Sequence, residues 1–395
     1  MQLKFIIITF FVFFMTAQLF SQEADQNKVI AEKDSPRKID FLFNYYDQDG
    51  DHSPVTGGKG TESQQVIAPT IVLHIPFKKL NILDINIGLD NISSASTDKI
   101  DGTSSSPSSN DTRVHTNVWY TRKLKDSGHS VGFMLGFSKE YDVASIQGGA
   151  RYSYLTADGN QEFTSSIKIY QDSWQLIYPI ELRADLSDNT LRPLPDDTRL
   201  SVNFSNTFST VINKNLQGSA TLDITQQSGL LSTPFHRVYL NDTTTDIERL
   251  PDTKLKIALG LRLHYFINDY LTSRLFYRYN WDDFGISAHT FEVELPIKLH
   301  KKFEIAPFFR YYMQTEADYF APYGENSSTS EFYTSDYDLS EFNSMMFGLN
   351  LKYNTHWSPF FKSYAIDSFE FRFSHYNRED GLDANSFGFG FSSSF

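Results

Sequence analysis

Hydrophobic and polar residues alternate along most of this chain with a period of two. In Lys254–Tyr265, one parity holds Leu255, Ile257, Leu259, Leu261, Leu263 and Tyr265, and the other holds Lys254, Lys256, Ala258, Gly260, Arg262 and His264. Between Leu271 and Trp281, Leu271, Leu275, Tyr277, Tyr279 and Trp281 oppose Arg274, Arg278 and Asn280. Between Phe291 and Leu299, Phe291, Val293, Leu295, Ile297 and Leu299 oppose Glu292, Glu294 and Lys298. A β-strand sends successive side chains to opposite faces, so each segment has one apolar and one polar face. An amphipathic helix would space these residues three and four apart. The final segment is the extreme case: Phe387, Phe389, Phe391 and Phe395 share a face, while Gly388, Gly390, Ser392 and Ser394 leave the other nearly bare. Such a face needs cover, and lipid supplies it for a strand of a transmembrane barrel. This phenylalanine row also resembles the C-terminal signal by which bacterial outer-membrane proteins are recognised for insertion, so Phe387, Phe389, Phe391 and Phe395 are the expected insertion signal.

Turn signals divide the chain into about sixteen strands, an even number as bacterial single-chain barrels have. They are expected near 38–46, 64–75, 82–91, 112–123, 129–139, 145–155, 162–171, 198–210, 217–227, 253–266, 269–281, 286–299, 303–315, 340–354, 364–376 and 384–395. Long polar segments at 47–63, 92–111, 172–197, 228–252 and 316–339 follow odd-numbered strands. Short turns such as Lys125–Gly128, Ala157–Asn160 and His300–Lys302 follow even-numbered ones. Outer-membrane barrels sort long extracellular loops from short periplasmic turns in this way, which places both barrel ends in the periplasm. The longer connection at 355–363 is the exception. The expected fold class is all-β: one antiparallel transmembrane β-barrel over 38–395.

The N-terminal region carries a different pattern. Lys4, the apolar run Phe5–Phe14 and the small residues Ala17 and Ser21 read as a secretory signal peptide over 1–22. The apolar run falls short of the ~20 residues of a spanning helix. Residues 23–37 are polar and read as a flexible periplasmic lead-in. No later segment has the length and apolarity of a spanning helix, which excludes a helical membrane protein. Mean hydropathy is −0.37, yet 15% of the chain is aromatic; a barrel reconciles the two, because only alternate residues face lipid and aromatic girdles mark the interfaces. The chain has no cysteine, so disulfide, thiol and lipoprotein chemistry are excluded. A net charge of −13 argues against nucleic acid as a partner. The expected location is the outer membrane of a Gram-negative bacterium.

Candidate chemistry lies on the polar parity. It carries Arg113 and His115, then Asp223, then Lys254, Lys256 and Arg262, and then Arg274 and Arg278. Glu292, Glu294 and Lys298 follow, then Glu304 and Arg310, and finally Glu370 and Arg372. Neighbouring strands carry opposite signs, so these groups can pair across the ladder. In a water-filled lumen they would select solutes by charge; the alternative is a salt-bridged lining that stiffens the wall. Asp47-Gln-Asp-Gly-Asp-His-Ser53 resembles the start of a calcium loop, with Asp47, Asp49, Asp51 and Ser53 as oxygen donors and Glu62 as a further ligand. It departs from the EF-hand pattern, since His52 stands at the glycine position and Gly58 at that of the bidentate glutamate. The alternative is an Asp/Gly-rich surface turn. Calcium is the only cofactor suggested.

The segments 232–239 with 247–252, and 318–323 with 331–337, are rich in aromatics, Arg, His and Asp. They suit a folded outer cap, a carbohydrate-binding surface, or loop packing that closes the barrel top. His236 with Asp252, or His289 with Ser287, would make an acid–base pair on paper. No nucleophile elbow, zinc motif or catalytic carboxylate pair stands out, and an enzyme is not expected.

Phe43-Asn-Tyr-Tyr46, Val55–Glu62, Ser93–Asp98, Ser232–Tyr239, Arg278–Asp283 and Ala317–Tyr323 resemble an uncharacterised family of Gram-negative outer-membrane proteins, known as a domain of unknown function. The resemblance covers nearly all the mature chain and implies an outer-membrane barrel. It carries no catalytic or binding residue across. The expected function is a porin-like channel or transporter for small solutes with a charged lumen. The alternative is a non-conducting structural or binding barrel whose extracellular loops dock a partner protein or calcium. Both imply outer-membrane lipid and the barrel-insertion machinery as partners.

Overall fold

The computed structural model describes residues 36–96, 110–125, 127–182, 196–357 and 365–395. The expected signal peptide at 1–22, nearly all of the lead-in at 23–37, and parts of the segments 92–111, 172–197 and 355–363 lie outside the described residues.

The period-two segments form strands. In chain order these are β1 (Lys38–Gly50), β2 (Glu62–Phe77), β3 (Asn81–Ser96), β4 (Asn110–Lys123), β5 (His129–Lys139), β6 (Val143–Leu155) and β7 (Gln161–Gln175). β8 (Asp196–Asn213) and β9 (Leu216–Gly229) follow, then a two-stranded hairpin of β10 (Arg237–Tyr239) and β11 (Thr245–Ile247). The wall resumes with β12 (Thr253–Asn268), β13 (Leu271–Asp282), β14 (Ser287–Glu294), β15 (Ile297–His300) and β16 (Phe303–Gln314). It finishes with β17 (Phe342–Trp357), β18 (Ala365–Arg378) and β19 (Leu382–Ser394).

Each wall strand pairs antiparallel with its neighbours, and β19 closes on β1 from Asp49↔Asp383 to Lys38↔Ser394. The result is a closed barrel of 16 staves, because β14 and β15 make one stave between them. Closure satisfies every edge, which a sheet immersed in lipid requires. The sequence predicts a single strand over 286–299, but the structure breaks it at Leu295-Pro296. Proline has no N–H to give the ladder. The neighbours bridge the gap: Leu295 N donates to Pro307 O at 3.0 Å, and Thr272 N donates to Pro296 O at 3.1 Å.

Parity then decides what each side chain meets. Leu259, Leu261 and Leu263 are 43%, 44% and 42% exposed, while Ala258, next to Leu259 on the other face, is 7% exposed. Phe387 and Phe389, Ile87 and Leu89, and Phe133 and Leu135 are likewise exposed on the outer face. A continuous apolar exterior of this kind is lipid-facing. The inner parity is polar, with Gln48, Thr70, Glu294, Arg372 and Ser374 all buried.

Candidate functional site: a charged lumen beneath a folded cap

The twelve charged residues expected to line the lumen all lie on the inward parity, and most of them form cross-strand pairs. Arg274 Nη1 donates to Glu294 Oε2 at 2.9 Å between β13 and β14. Arg310 on β16 pairs with Glu292 on β14 at 2.5 Å, and Arg278 Nη2 reaches Asp223 Oδ2 at 2.9 Å. Lys254 Nζ lies 2.8 Å from Asp282 Oδ2, and Lys352 Nζ lies 2.7 Å from Glu370 Oε1. Arg113 sits 3.8 Å from both Asp90 and Glu140. Arg262 stacks over Phe276 at 5.0 Å and Arg372 over Phe308 at 4.6 Å, which uses the faces of lumen aromatics as partners for cations. Glu304 stands opposite Lys298 and Lys352 in the ladder. Lys256 keeps its side chain solvent-accessible inside the wall. Of the twelve, all but Arg113 lie on β12–β18. The β6–β9 part of the wall mixes charges with hydroxyls and amides: Arg151 Nη2 donates to Thr121 Oγ1 at 2.9 Å, Ser205 Oγ donates to Asp223 at 2.5 Å, Thr207 pairs with Thr221 at 3.0 Å, and Asn203 donates to Thr225 at 2.8 Å.

The extracellular segments form a cap with its own apolar packing. Phe235, from the segment between β9 and β12, packs against Val66 and Ala68 of β2 and Ile92 of β3. Those three face the lumen, and β2 and β3 lie about half-way round the wall from β9 and β12. This segment therefore crosses the outer mouth. A second cluster joins Leu231, Leu250, Phe284, Ile286, Ala317 and Leu339 to the lumen-facing Ala288 of β14. A third holds Val238, fully buried, against Leu240 and Tyr333. Polar bonds tie the cap to the wall and to other loops. Arg378 of β18 reaches Asp338 Oδ1 at 2.6 Å, and Arg237 Nη1 donates to Val55 O at 2.8 Å and pairs with Glu181. His52 stacks on Tyr337 with centroids 3.7 Å apart.

Two sequence expectations meet a different arrangement here. The structure does not bring Asp47, Asp49, Asp51, Ser53 and Glu62 together. β1 runs to Gly50, so Asp47 and Asp49 stand on its outward face, with Asp47 accepting from Gln65 Nε2 at 3.0 Å. Glu62 is on the opposite face and accepts from Gln48 Nε2 at 2.9 Å. Asp51 leans over the Gly381 turn, and Ser53 is buried with its N–H donated to Gly60 O. The acid–base pairs drawn on paper also resolve otherwise. The acidic neighbours of His236 are Glu248 and Asp336, each 3.7 Å from its Nδ1. His289 Nδ1 meets the Tyr277 hydroxyl at 2.9 Å. Sequence reasoning missed Asp282, Arg378, Asp338 and the buried Arg199–Asp172 pair, which joins at 2.7 Å. All but Asp338 hold the inward parity of their strands; Arg199 was readable by that rule, whereas Asp172, Asp282 and Arg378 lie one or two residues past the expected strand ends, because β7, β13 and β18 run longer than the turn signals indicate. Asp338 belongs to a loop, where parity gives no signal.

A closed antiparallel barrel with an apolar exterior and a charged, hydroxyl-lined lumen is an integral protein of the bacterial outer membrane. The chain belongs to the family described as "Protein of unknown function (DUF3570)", whose model matches residues 102–385. No curated relative matches it. Among solved structures it is similar to a bacterial polysaccharide outer membrane secretin, at TM-score 0.48 and 9% identity over 92% of this chain and 100% of that one. It is also similar to the TodX monoaromatic hydrocarbon channel deltaS2 mutant, at TM-score 0.42 and 8% identity over 91% and 90%. A BenF-like porin from Pseudomonas fluorescens Pf-5 gives TM-score 0.41 and 8% identity over 91% and 99%.

Proposed function

We propose that this barrel passes small polar or charged solutes through its lumen and that the cap gates the outer mouth. The observation that carries this reading is the division of labour along the barrel axis. Phe235 and its neighbours seat an apolar cap on Val66, Ala68 and Ile92 at the mouth. Below it the wall offers paired charges and hydroxyls rather than an apolar filling. Charged side chains inside a low-dielectric wall bias which ions enter. The cationic groups Arg262, Arg274, Arg278, Arg310 and Arg372 are the selectivity residues of this reading, with Glu292, Glu294 and Glu370 balancing them. No catalytic role is proposed for any of them.

Neutralising Arg274 and Arg278 tests the selectivity. Each change leaves its carboxylate partner, Glu294 or Asp223, without its arginine. The double variant Arg274→Gln/Arg278→Gln is expected to move the reversal potential in a salt gradient towards cations. An unchanged reversal potential in conducting channels would remove these residues from the selectivity account. The cap's three apolar clusters favour a second reading, a non-conducting barrel that presents a binding surface; it predicts that purified barrels stay silent in a bilayer.

A further inference from the structure

We propose that His236, Glu248 and Asp336 form a site for a divalent transition-metal ion that staples the two cap segments together. His236 and Glu248 come from the segment between β9 and β12, whereas Asp336 comes from the segment between β16 and β17. They meet in the interior of the cap, where His236 is 1%, Glu248 3% and Asp336 1% exposed. His236 Nδ1 lies 3.7 Å from Glu248 Oε1 and 3.7 Å from Asp336 Oδ2. Ligand atoms of all three fall within 4.8 Å of one another. A separation of 3.7 Å is too long for a hydrogen bond. It is the spacing of two ligands that share one ion at about 2.0–2.6 Å.

The surroundings are built as a metal site's are. Thr233 N donates to Glu248 Oε2 at 2.6 Å, and Thr334 Oγ1 donates to Glu248 Oε1 at 2.6 Å. Asp336 N donates to Thr334 Oγ1 at 3.0 Å, and Asp338 N donates to Asp336 Oδ1 at 3.0 Å. These bonds fix both carboxylates while directing one oxygen of each towards the imidazole, the role that hydrogen-bonded neighbours play around metal ligands. One imidazole nitrogen with two carboxylate oxygens, and no thiolate, suits zinc or a similar first-row divalent ion. The consequence reaches the barrel wall, because Asp338 follows Asp336 closely and pairs with Arg378 of β18. An ion here would tie both cap segments to the wall and hold the gate shut.

The test uses the full chain folded in detergent, stripped with chelator, exposed to zinc chloride and dialysed. Elemental analysis is expected to find one zinc per chain. His236→Ala and Asp336→Asn, each checked for the heat-modifiable gel migration of a folded barrel, are expected to bind at least about tenfold more weakly. In the unmodified protein, zinc is also expected to slow hydrogen exchange in 232–250 and 330–340, a readout that needs no variant. Zinc retained equally by both variants, no zinc retained by the unmodified chain, or unaltered exchange in those two segments would each overturn the proposal.

Discussion

At the scale of single residues, the lumen side chains were legible because a strand leaves no choice of face. Once Leu259 is outside, Arg262 must be inside, and the same holds for Arg274, Glu292 and Arg310. Their partners were legible only by sign, since register decides which pair meets. His236 drew notice in the sequence, but with Asp252 as its partner; that Glu248 and Asp336 are its acidic neighbours was not legible. They sit in two loops with no motif spacing, and only tertiary packing brings them together. Buried acids in the outer loops give a pH prediction. Burial pushes the Glu140 carboxyl up to about 7 against the pull of Arg113, and burial pushes Asp142 up to about 7. The folded turn therefore keeps protons that the unfolded chain releases near its ordinary carboxyl range. The native state binds more protons between about pH 4 and 7, so the stability of this turn falls as pH rises through that window. Glu140→Gln with Asp142→Asn is expected to flatten that fall and to stabilise the turn at pH 8 by on the order of 1 kcal/mol or more. Amide exchange at 140–143, corrected for intrinsic rates, measures it. A pH dependence the same as in the unmodified protein would contradict the assignment.

Close packing sets a second residue-scale expectation. A Cβ placed at Gly348 would lie 2.6 Å from Phe308 Cε1 and 2.2 Å from the Phe373 carbonyl oxygen. Gly348 leaves the slot in which Phe308 lies beneath the Arg372 guanidinium. Gly348→Ala is expected to cost about 1–3 kcal/mol by overpacking, read from urea unfolding in lipid vesicles. A cost below measurement error would mean that both the Phe308 ring and the β18 backbone at Phe373 can move aside.

At the scale of elements, the strands followed from period and turn residues, and the departures have local causes. Pro296, which has no N–H to give the ladder, marks the break in one stave, whereas Pro69 and Pro307 are carried within β2 and β16. The acidic run after Tyr46 has the composition of a calcium loop, but β1 continues to Gly50 and carries Asp47 and Asp49 outward, away from Glu62. Extension of a strand by a few residues was enough to disperse the candidate ligands. The cap segments were legible from their aromatics as a folded cap or as loops closing the barrel top, but not which wall strands they rest on. Phe235 is the lever for testing that placement. Phe235→Ala removes the side chain seated on Val66, Ala68 and Ile92 and is expected to weaken cap docking by about 3–5 kcal/mol. Protease digestion of whole cells should then cut within 230–252 much faster than in the unmodified protein. Equal cutting rates would mean that the segment is held by other contacts.

At the scale of the whole molecule, an outer surface of leucine and phenylalanine, a lumen of paired charges and an apolar cap across one end form a consistent design. Lipid covers the outside, ion pairs and hydrogen bonds satisfy much of the inside, and in the proposed function the cap decides access. The barrel was legible because membrane strands must alternate and must close. The state of the mouth was not, since it depends on which loop residue meets which wall residue across the lumen. Single-channel current in a planar bilayer, compared between the unmodified barrel and Phe235→Ala, tests the central claim most directly. The account predicts small or rare steps from the unmodified protein and larger, steadier steps from the variant, both with the same charge preference. Silence from both would contradict it, because a lumen that stays closed with its cap loosened is no passage for solutes.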